Sequence, residues 1–221
     1  MALNRIRLDP DSLLAREDTA SVLCLFCLKG RAILHADDTC FELQKEDAAY
    51  LSIAEALEIE TEQTNADFVC FSLSADEEPC VLYAPCEIAR NAPRLREKGY
   101  PGRGSCLCWD ETEAGVARRL LMGFFRATGP KDVDWPSALR VETRERICFV
   151  YEAQEQGLFF LPEDGDQGPE TEKRVLNRED ALILPQGAPC PRLWTEGPYA
   201  IVWAAPIVPS RPGTDEPPEA P

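Results

Sequence analysis

Short apolar runs separated by turn residues make up most of the chain, and none of them keeps a long helical period. In the first half these runs cover residues 21–29, 31–35, 40–43, 46–51, 56–60 and 67–73, with turns at Gly30 and at Asp37-Asp38. Apolar runs of this length between turns are typical of β-strands. The pattern predicts a small barrel or sandwich built from this half alone.

A second series of strands is predicted over residues 120–127, 138–141, 147–151, 157–161 and 174–176. It ends in an apolar run that starts at Asp180, is broken by Pro185 and Gly187, and resumes at 199–204 after the turn Glu196-Gly197-Pro198. Between the two series, residues 75–104 are rich in proline and charge, which is typical of a surface linker. Residues 111–121 fit either a short helix or a strand.

The two series repeat one motif. Lys45-Glu46-Asp47-Ala48 matches Arg178-Glu179-Asp180-Ala181, and each copy precedes an apolar strand. An internal duplication explains this match. We therefore predict an all-β chain of two consecutive small antiparallel β-barrels of the jelly-roll type, over residues 1–80 and 119–209, joined by a linker at 81–118. The tail, 210–221, holds no apolar residue larger than Ala or Pro and is predicted to be disordered.

Composition narrows the possible partners. The chain of 221 residues is 44% hydrophobic and has a formal net charge of −16, which repels phosphate backbones and anionic lipid. Nucleic acid is not an expected partner. No signal peptide and no stretch of membrane-spanning length is visible, so we expect a cytoplasmic protein without a membrane partner.

Ten cysteines, most of them inside apolar runs, raise the question of a metal or redox site. Cys24-x-x-Cys27 and Cys106-x-Cys108 have suggestive spacings. On a strand, however, residues three apart point to opposite faces. The cysteines are therefore predicted to be small core residues. His35 is the only histidine, and its place on a hairpin strand favours a surface residue over a catalyst.

The order of motifs in the second half resembles the 5-deoxy-glucuronate isomerase family of bicupins, which is related to the 5-keto-4-deoxyuronate isomerases and serves inositol catabolism. The resemblance runs from about Val22 to Val208 and is strongest from Gly123 onward. The shared motifs are Gly123-Phe124-Phe125, Gly129-Pro130, Ile147-Cys148-Phe149-Val150-Tyr151, Pro185-Gln186-Gly187 and Trp203-Ala204-Ala205-Pro206. The cupin pattern puts its last metal ligand, a histidine, just beyond that glycine.

The resemblance implies a metal site that this sequence does not retain. The family's four ligand positions fall on Lys131, Val133, Arg146 and Pro189. A divalent ion needs neutral imidazoles and carboxylates, and Lys and Arg add positive charge. We therefore expect no metal and no other cofactor. Two alternatives remain open: Glu145, if the alignment slips by one residue, and Cys190, at the offset used by more distant cupins.

If the family register holds, alternation along β-structure predicts that Arg146, Cys148 and Val150 face the interior, while Ile147 and Phe149 pack outward against a neighbouring sheet or partner. If the strands have another register, Lys131 and Arg146 are solvated surface charges. The candidate ligand-binding residues are Lys131, Arg146, Cys148 and Cys190. No catalytic residue can be assigned. Cys148 and Cys190 also fit a role as apolar core residues, and Trp194 and Trp203 are expected to pack the core or rim.

Two functions are compatible with these residues. One is a degenerate, metal-free relative of the sugar-acid isomerases, a pseudoenzyme of carbohydrate metabolism that binds a small anionic metabolite such as a uronate or serves as an oligomerising scaffold. The other is an active isomerase that interconverts aldose and ketose sugar acids, with Lys131 and Arg146 replacing the ion. A homo-oligomer is compatible with both.

Overall fold

The computed structural model describes residues 1–17, 21–36, 39–51, 56–74, 86–89, 105–107, 120–127, 131–133, 145–153, 157–161, 172–188, 192–195 and 197–206. Within these ranges all regular structure is β-strand. The first eight strands are β1 (Ala2–Leu8), β2 (Leu13–Glu17), β3 (Ser21–Lys29), β4 (Arg31–Ala36), β5 (Thr39–Gln44), β6 (Ala48–Leu51), β7 (Ala56–Glu60) and β8 (Ala66–Ser74).

Ten further strands follow, two of them in the segment between the repeated halves. They are β9 (Cys86–Ala89), β10 (Ser105–Leu107), β11 (Leu120–Ala127), β12 (Lys131–Val133), β13 (Arg146–Ala153), β14 (Gly157–Leu161), β15 (Glu172–Leu176), β16 (Ala181–Leu184), β17 (Arg192–Thr195) and β18 (Tyr199–Pro206). The strand predicted at 138–141, residues 111–119 and the tail lie outside the described residues.

The strands form four antiparallel sheets whose order repeats. We name them sheet A (β1-β8-β3-β6-β9), sheet B (β2-β7-β4-β5), sheet C (β10-β11-β18-β13-β16) and sheet D (β12-β17-β14-β15). Four strands follow the same order in sheets A and C, namely β1-β8-β3-β6 and β11-β18-β13-β16. The fifth strand differs: β9 is added beside β6 in sheet A, and β10 beside β11 in sheet C. Sheets B and D repeat the same order. The predicted antiparallel all-β class is confirmed. The predicted closure into barrels is not confirmed, because the sheets are open.

The turn before β6 shows what the first copy of the repeated motif does. Glu46 has a φ of 71°, a left-handed conformation that is uncommon for a residue with a side chain. Its backbone N–H donates to the Cys27 carbonyl at 2.8 Å, and the Cys27 N–H donates to the Asp47 carbonyl at 2.9 Å. The Asp47 carboxylate accepts from the Gln44 backbone N–H at 3.1 Å. The motif therefore joins a tight turn to strand β3.

The turn before β16 repeats these bonds residue for residue. Glu179 has a φ of 74°, its N–H donates to the Val150 carbonyl at 2.8 Å, and the Val150 N–H donates to the Asp180 carbonyl at 2.9 Å. The Asp180 carboxylate accepts from the Asn177 backbone N–H at 2.7 Å. The strand pairs beside the turns keep the same register, and β3 and β13 are interrupted by a bulge at the same place. The sequence match is therefore a repeat of backbone structure.

Sheet A and sheet C pack face to face through one apolar core. The cluster contains Cys24, Phe26 and Phe71 from sheet A, and Phe124, Phe149 and Val202 from sheet C. The rings of Phe26 and Tyr151 lie 5.3 Å apart. The opposite face of sheet A packs on sheet B in a second core. The predicted outward packing of Ile147 and Phe149 on a neighbouring sheet is thus confirmed, since both belong to the core shared by the two halves.

Strands β1 and β2 lie in the polar first part of the chain, where the hydrophobic pattern predicted no strand. Arg5 on β1 donates two hydrogen bonds to the Asp67 carboxylate, at 2.9 and 2.6 Å, and pairs with Glu179 at 2.6 Å. These acidic partners lie far away in sequence, on β8 and on the turn before β16. Because β1 contains charged arginines, the hydrophobic pattern alone does not predict this edge strand of sheet A.

Candidate functional site

Arg146 opens strand β13, and its side chain is completely buried, with 0% exposure. Strand alternation puts Ile147 and Phe149 in the core between sheets A and C, so Arg146 and Cys148 project from the opposite face of sheet C. We call this opposite face the inner face; it also carries Val150, Ile201, Trp203 and Ala205. The predicted inward orientation of Arg146, Cys148 and Val150 is confirmed, and all three residues are buried.

The turn after β16 supplies a partner for Arg146. Its Nη2 group donates a hydrogen bond to the backbone carbonyl of Ala188. That carbonyl is held in place by a turn, in which the Ala188 N–H donates to the Pro185 carbonyl at 3.1 Å and Gly187 adopts a φ of 85°. Positive φ is a conformation that glycine adopts without steric cost. Arg146 therefore contacts the residue that directly precedes Pro189 in the sequence.

Trp203 lies beside this arginine on the neighbouring strand. Cys148 on β13 pairs directly with Trp203 on β18, so the two side chains share the inner face. On the other side of β18, Trp203 pairs with Gly123, which contributes no side chain. Trp203 is 0% exposed, and its indole N–H has no hydrogen-bond acceptor in the part of the chain that the structure describes. Sequence reasoning treated Trp203 as packing only.

The inner face also contacts sheet D. The Tyr199 hydroxyl donates to the Leu176 carbonyl of β15 at 3.3 Å, and burial raises the pKa of this phenol. Lys131 and Val133 lie on β12 of sheet D, in register with Thr195 and Leu193 of β17. Pro189 and Cys190 fall outside the described residues, so Cys190 stays a prediction.

Glu145, the alternative acidic ligand, lies away from the inner face. Its carboxylate is 3.5 Å from the Met1 amino group and its side chain is 41% exposed, and Met1 packs against the core between sheets A and C. Among the described residues, no group of three His, Cys, Asp or Glu side chains could hold a metal ion. A buried guanidinium at the family's glutamate position does not fit a divalent cation, because like charges repel.

Most of the free cysteines that the structure describes fit the predicted core role: Cys24, Cys27, Cys70 and Cys148 are buried, whereas Cys40 is exposed. Cys24 belongs to the core between sheets A and C, and Cys27 to the core between sheets A and B, so the two lie on opposite faces as predicted. Burial raises the pKa of the Cys27 thiol to about 12 and that of Cys70 to about 11. Both thiols therefore stay protonated near neutral pH and are poor ligands or nucleophiles.

His35 is part of the solvent-facing side of sheet B. Its ring lies 3.7 Å from the Glu60 carboxylate, and its side chain is 38% exposed. This agrees with the surface role that the hairpin position predicted.

No family model matches the sequence, and no curated protein matches it. Solved structures do match. An IolB-like protein from Salmonella typhimurium superimposes with a TM-score of 0.66 at 14% identity, covering 95% of this chain and 84% of that one. A cupin 2 conserved barrel domain protein from Leptotrichia buccalis gives 0.57 at 11% identity, covering 93% and 83%. The chain has the cupin fold.

The proteins of similar structure differ in activity. A salicylate 1,2-dioxygenase from Pseudaminobacter salicylatoxidans matches with a TM-score of 0.61 at 10% identity, covering 92% of this chain and 70% of that one. At such identities the likeness concerns the fold, and the function has to be argued from the residues of the site. In the part of the chain that the structure describes, no helix is long and apolar enough to cross a bilayer.

Proposed function

We propose that this chain is a duplicated cupin whose second unit binds a small carboxylate, such as a uronate, on the inner face of sheet C without a metal. In this proposal residues 1–80 and 119–209 are the two units. Lys131, Arg146, Cys148 and Cys190 line the binding site. The observation that carries the proposal is the full burial of Arg146 on that face.

The first half supplies the reference for this observation. The registers β3–β6 and β13–β16 align Leu23 with Arg146, because Leu23 pairs with Leu51 and Arg146 pairs with Leu184. Leu23 is 1% exposed and belongs to the apolar core between sheets A and B. The same backbone position is therefore served by an ordinary apolar side chain in one copy and by a guanidinium in the other.

A buried guanidinium is costly unless charged or polar groups compensate it. A carboxylate ligand would add to the polar contacts that Arg146 makes within the protein, because the planar fork of arginine matches two carboxylate oxygens. Each charge-assisted hydrogen bond contributes roughly 1.5 to 3 kcal/mol. The net charge of −16 does not oppose such binding strongly, because distant surface charges are screened by salt over about 10 Å.

Calorimetry can test the proposal with glucuronate and galacturonate against the neutral sugars glucose and galactose. We expect the wild-type protein to bind at least one uronate and neither neutral sugar. Arg146→Leu installs the residue type found at Leu23 and should weaken uronate binding by about tenfold or more. Lys131→Ala tests whether the second cation, the Lys131 ammonium group, also contributes to uronate binding. Arg31→Ala is the matched control, because Arg31 pairs with Glu42 at the surface of sheet B at 2.7 Å.

Two results would contradict the proposal. One is the absence of binding for every uronate tested; the other is wild-type affinity in folded Arg146→Leu protein. The remaining functional alternative, an active aldose–ketose isomerase, is tested by an isomerase assay with and without added Mn²⁺ or Zn²⁺. Turnover without metal would make the bound uronate a substrate.

A further inference from the structure

We infer that the Trp203 indole N–H is a second ligand donor, and that it selects carboxylates with an oxygen atom on the carbon next to the carboxyl group. This inference rests on the proposed carboxylate site and adds a class of ligand to it. It covers 2-hydroxy acids, 2-oxo acids and uronates, whose ring oxygen is attached to the carbon that bears the carboxylate.

The indole N–H needs an explanation because buried polar groups almost always have a partner. Trp203 is 0% exposed, and its Nε1 atom finds no acceptor among the described residues. Leaving a buried donor without an acceptor is energetically unfavourable. In the first half, the register that pairs Leu25 with Cys70 aligns Cys70 with Trp203. A cysteine fills this position in the first half, so the repeated backbone does not require an indole there.

The position of Trp203 relative to Arg146 fits a single small ligand. Cys148 is the direct cross-strand partner of Trp203, and Arg146 lies two residues earlier on the same face of β13. Arg146 and Trp203 are thus diagonal neighbours, a relation that separates residues by roughly 7 to 8 Å and lies within reach of long and aromatic side chains. The charged fork and the neutral donor can therefore contact adjacent functional groups of one molecule.

The two donors differ in what they recognise. Arginine donates to both oxygens of a carboxylate, whereas an indole offers one neutral N–H and accepts nothing. A simple acid such as acetate has no oxygen beyond its carboxylate and leaves the indole without an acceptor. An acid with a 2-hydroxy, 2-oxo or 2-alkoxy oxygen supplies one.

The test uses two acids of the same size that differ in one ring atom, tetrahydropyran-2-carboxylate and cyclohexanecarboxylate. Calorimetry should show that wild-type protein binds the tetrahydropyran acid about five- to tenfold more tightly. Trp203→Phe, which removes the N–H and keeps an aromatic ring, should abolish this preference. Tyr199→Phe removes another buried polar hydrogen from β18, the one bonded to Leu176, and should retain the preference.

Each outcome separates the two proposals. If both acids bind with equal affinity to wild-type protein, or if the preference survives in Trp203→Phe, the role of Trp203 is wrong while the carboxylate site stands. If neither acid nor any uronate binds, the carboxylate site itself is wrong and the role of Trp203 falls with it.

A second measurement applies if Trp203→Phe does not fold. The chain has four tryptophans, so protein labelled with ¹⁵N at the indole nitrogens gives four side-chain signals. Single Phe variants of Trp109, Trp135 and Trp194 assign the Trp203 signal by elimination. That signal should move with tetrahydropyran-2-carboxylate and stay in place with cyclohexanecarboxylate. An unmoved signal at saturating tetrahydropyran acid would overturn the inference.

Discussion

The turns before β6 and before β16 make the same hydrogen bonds around Glu46 and Glu179, yet the strands beside them present different side chains to the interior. On β3 the inward positions are Leu23 and Leu25, within an apolar core. On β13 the matching positions are Arg146 and Cys148, both buried. Turn geometry and strand register depend on backbone bonding, so they persist while the interior side chains diverge. Chemistry specific to this chain is therefore expected where the copies differ.

The largest expected effect on the free energy of unfolding comes from exchanging the residue types at the equivalent positions Leu23 and Arg146. Leu23→Arg buries a charge in an apolar core and should cost more than about 3 kcal/mol of unfolding free energy. Arg146→Leu removes a buried charge instead of adding one, and should therefore cost less unfolding free energy than Leu23→Arg. Urea unfolding of both variants measures the contrast. Leu13→Arg is the control, because Leu13 is 60% exposed. Equal losses in Leu23→Arg and Leu13→Arg would show that the first interior tolerates charge.

A smaller contrast is expected between two glycines with positive φ, one in each half. In Gly30→Ala, a Cβ would overlap the backbone carbonyl of Asn65, whereas a Cβ at Gly187 would have no atom within 4 Å. Both substitutions strain the backbone by about 1 kcal/mol, and the overlap at Gly30 adds a further 1 to 3 kcal/mol or more. Thermal unfolding should therefore separate the two variants. Similar melting temperatures would mean that the turn after Lys29 rearranges without cost.

The smallest expected effect concerns the ion pairs that tie β1 to the turn before β16. Arg5 and Arg7 hold the pKa of the Glu179 carboxyl below its usual range. A carboxyl whose pKa is lowered by folding stabilises the folded state above its unfolded pKa and loses that contribution as the pH falls through the folded value. Because Glu179 is half-exposed, solvent screening limits the effect to about 0.5 to 1 kcal/mol.

Unfolding of wild-type and Glu179→Gln protein between pH 6 and pH 3 measures this contribution. The wild-type protein should lose more stability on acidification than the variant, and 0.5 M NaCl should narrow the difference, because salt screens exposed charges. Parallel pH curves for the two proteins would show that the ion pair contributes nothing measurable.

The sequence predicted most of the strands and the repeat, because both depend on local patterns. The strands over 56–60, 120–127 and 157–161 have the expected bounds, and the repeated Glu-Asp-Ala motif marks equivalent turns. Strand β1 was missed because Arg5 finds its acidic partners far away in sequence. The inward orientation of Arg146 followed from alternation once the register of the resembled family was assumed. The position of Trp203 beside Arg146 could not be predicted in this way, because it depends on the register between β13 and β18.

The apolar core between sheets A and C has a consequence for how the chain loses its structure. Its members come from both ends of the sequence, from Val22 to Ala204, so neither half can unfold without exposing the apolar face of the other. Such coupling favours a single cooperative transition, even though each half has its own sheet pair. The duplicated halves therefore behave thermodynamically as a tethered dimer, in which mass action has been replaced by a covalent connection that holds the effective concentration of each partner high.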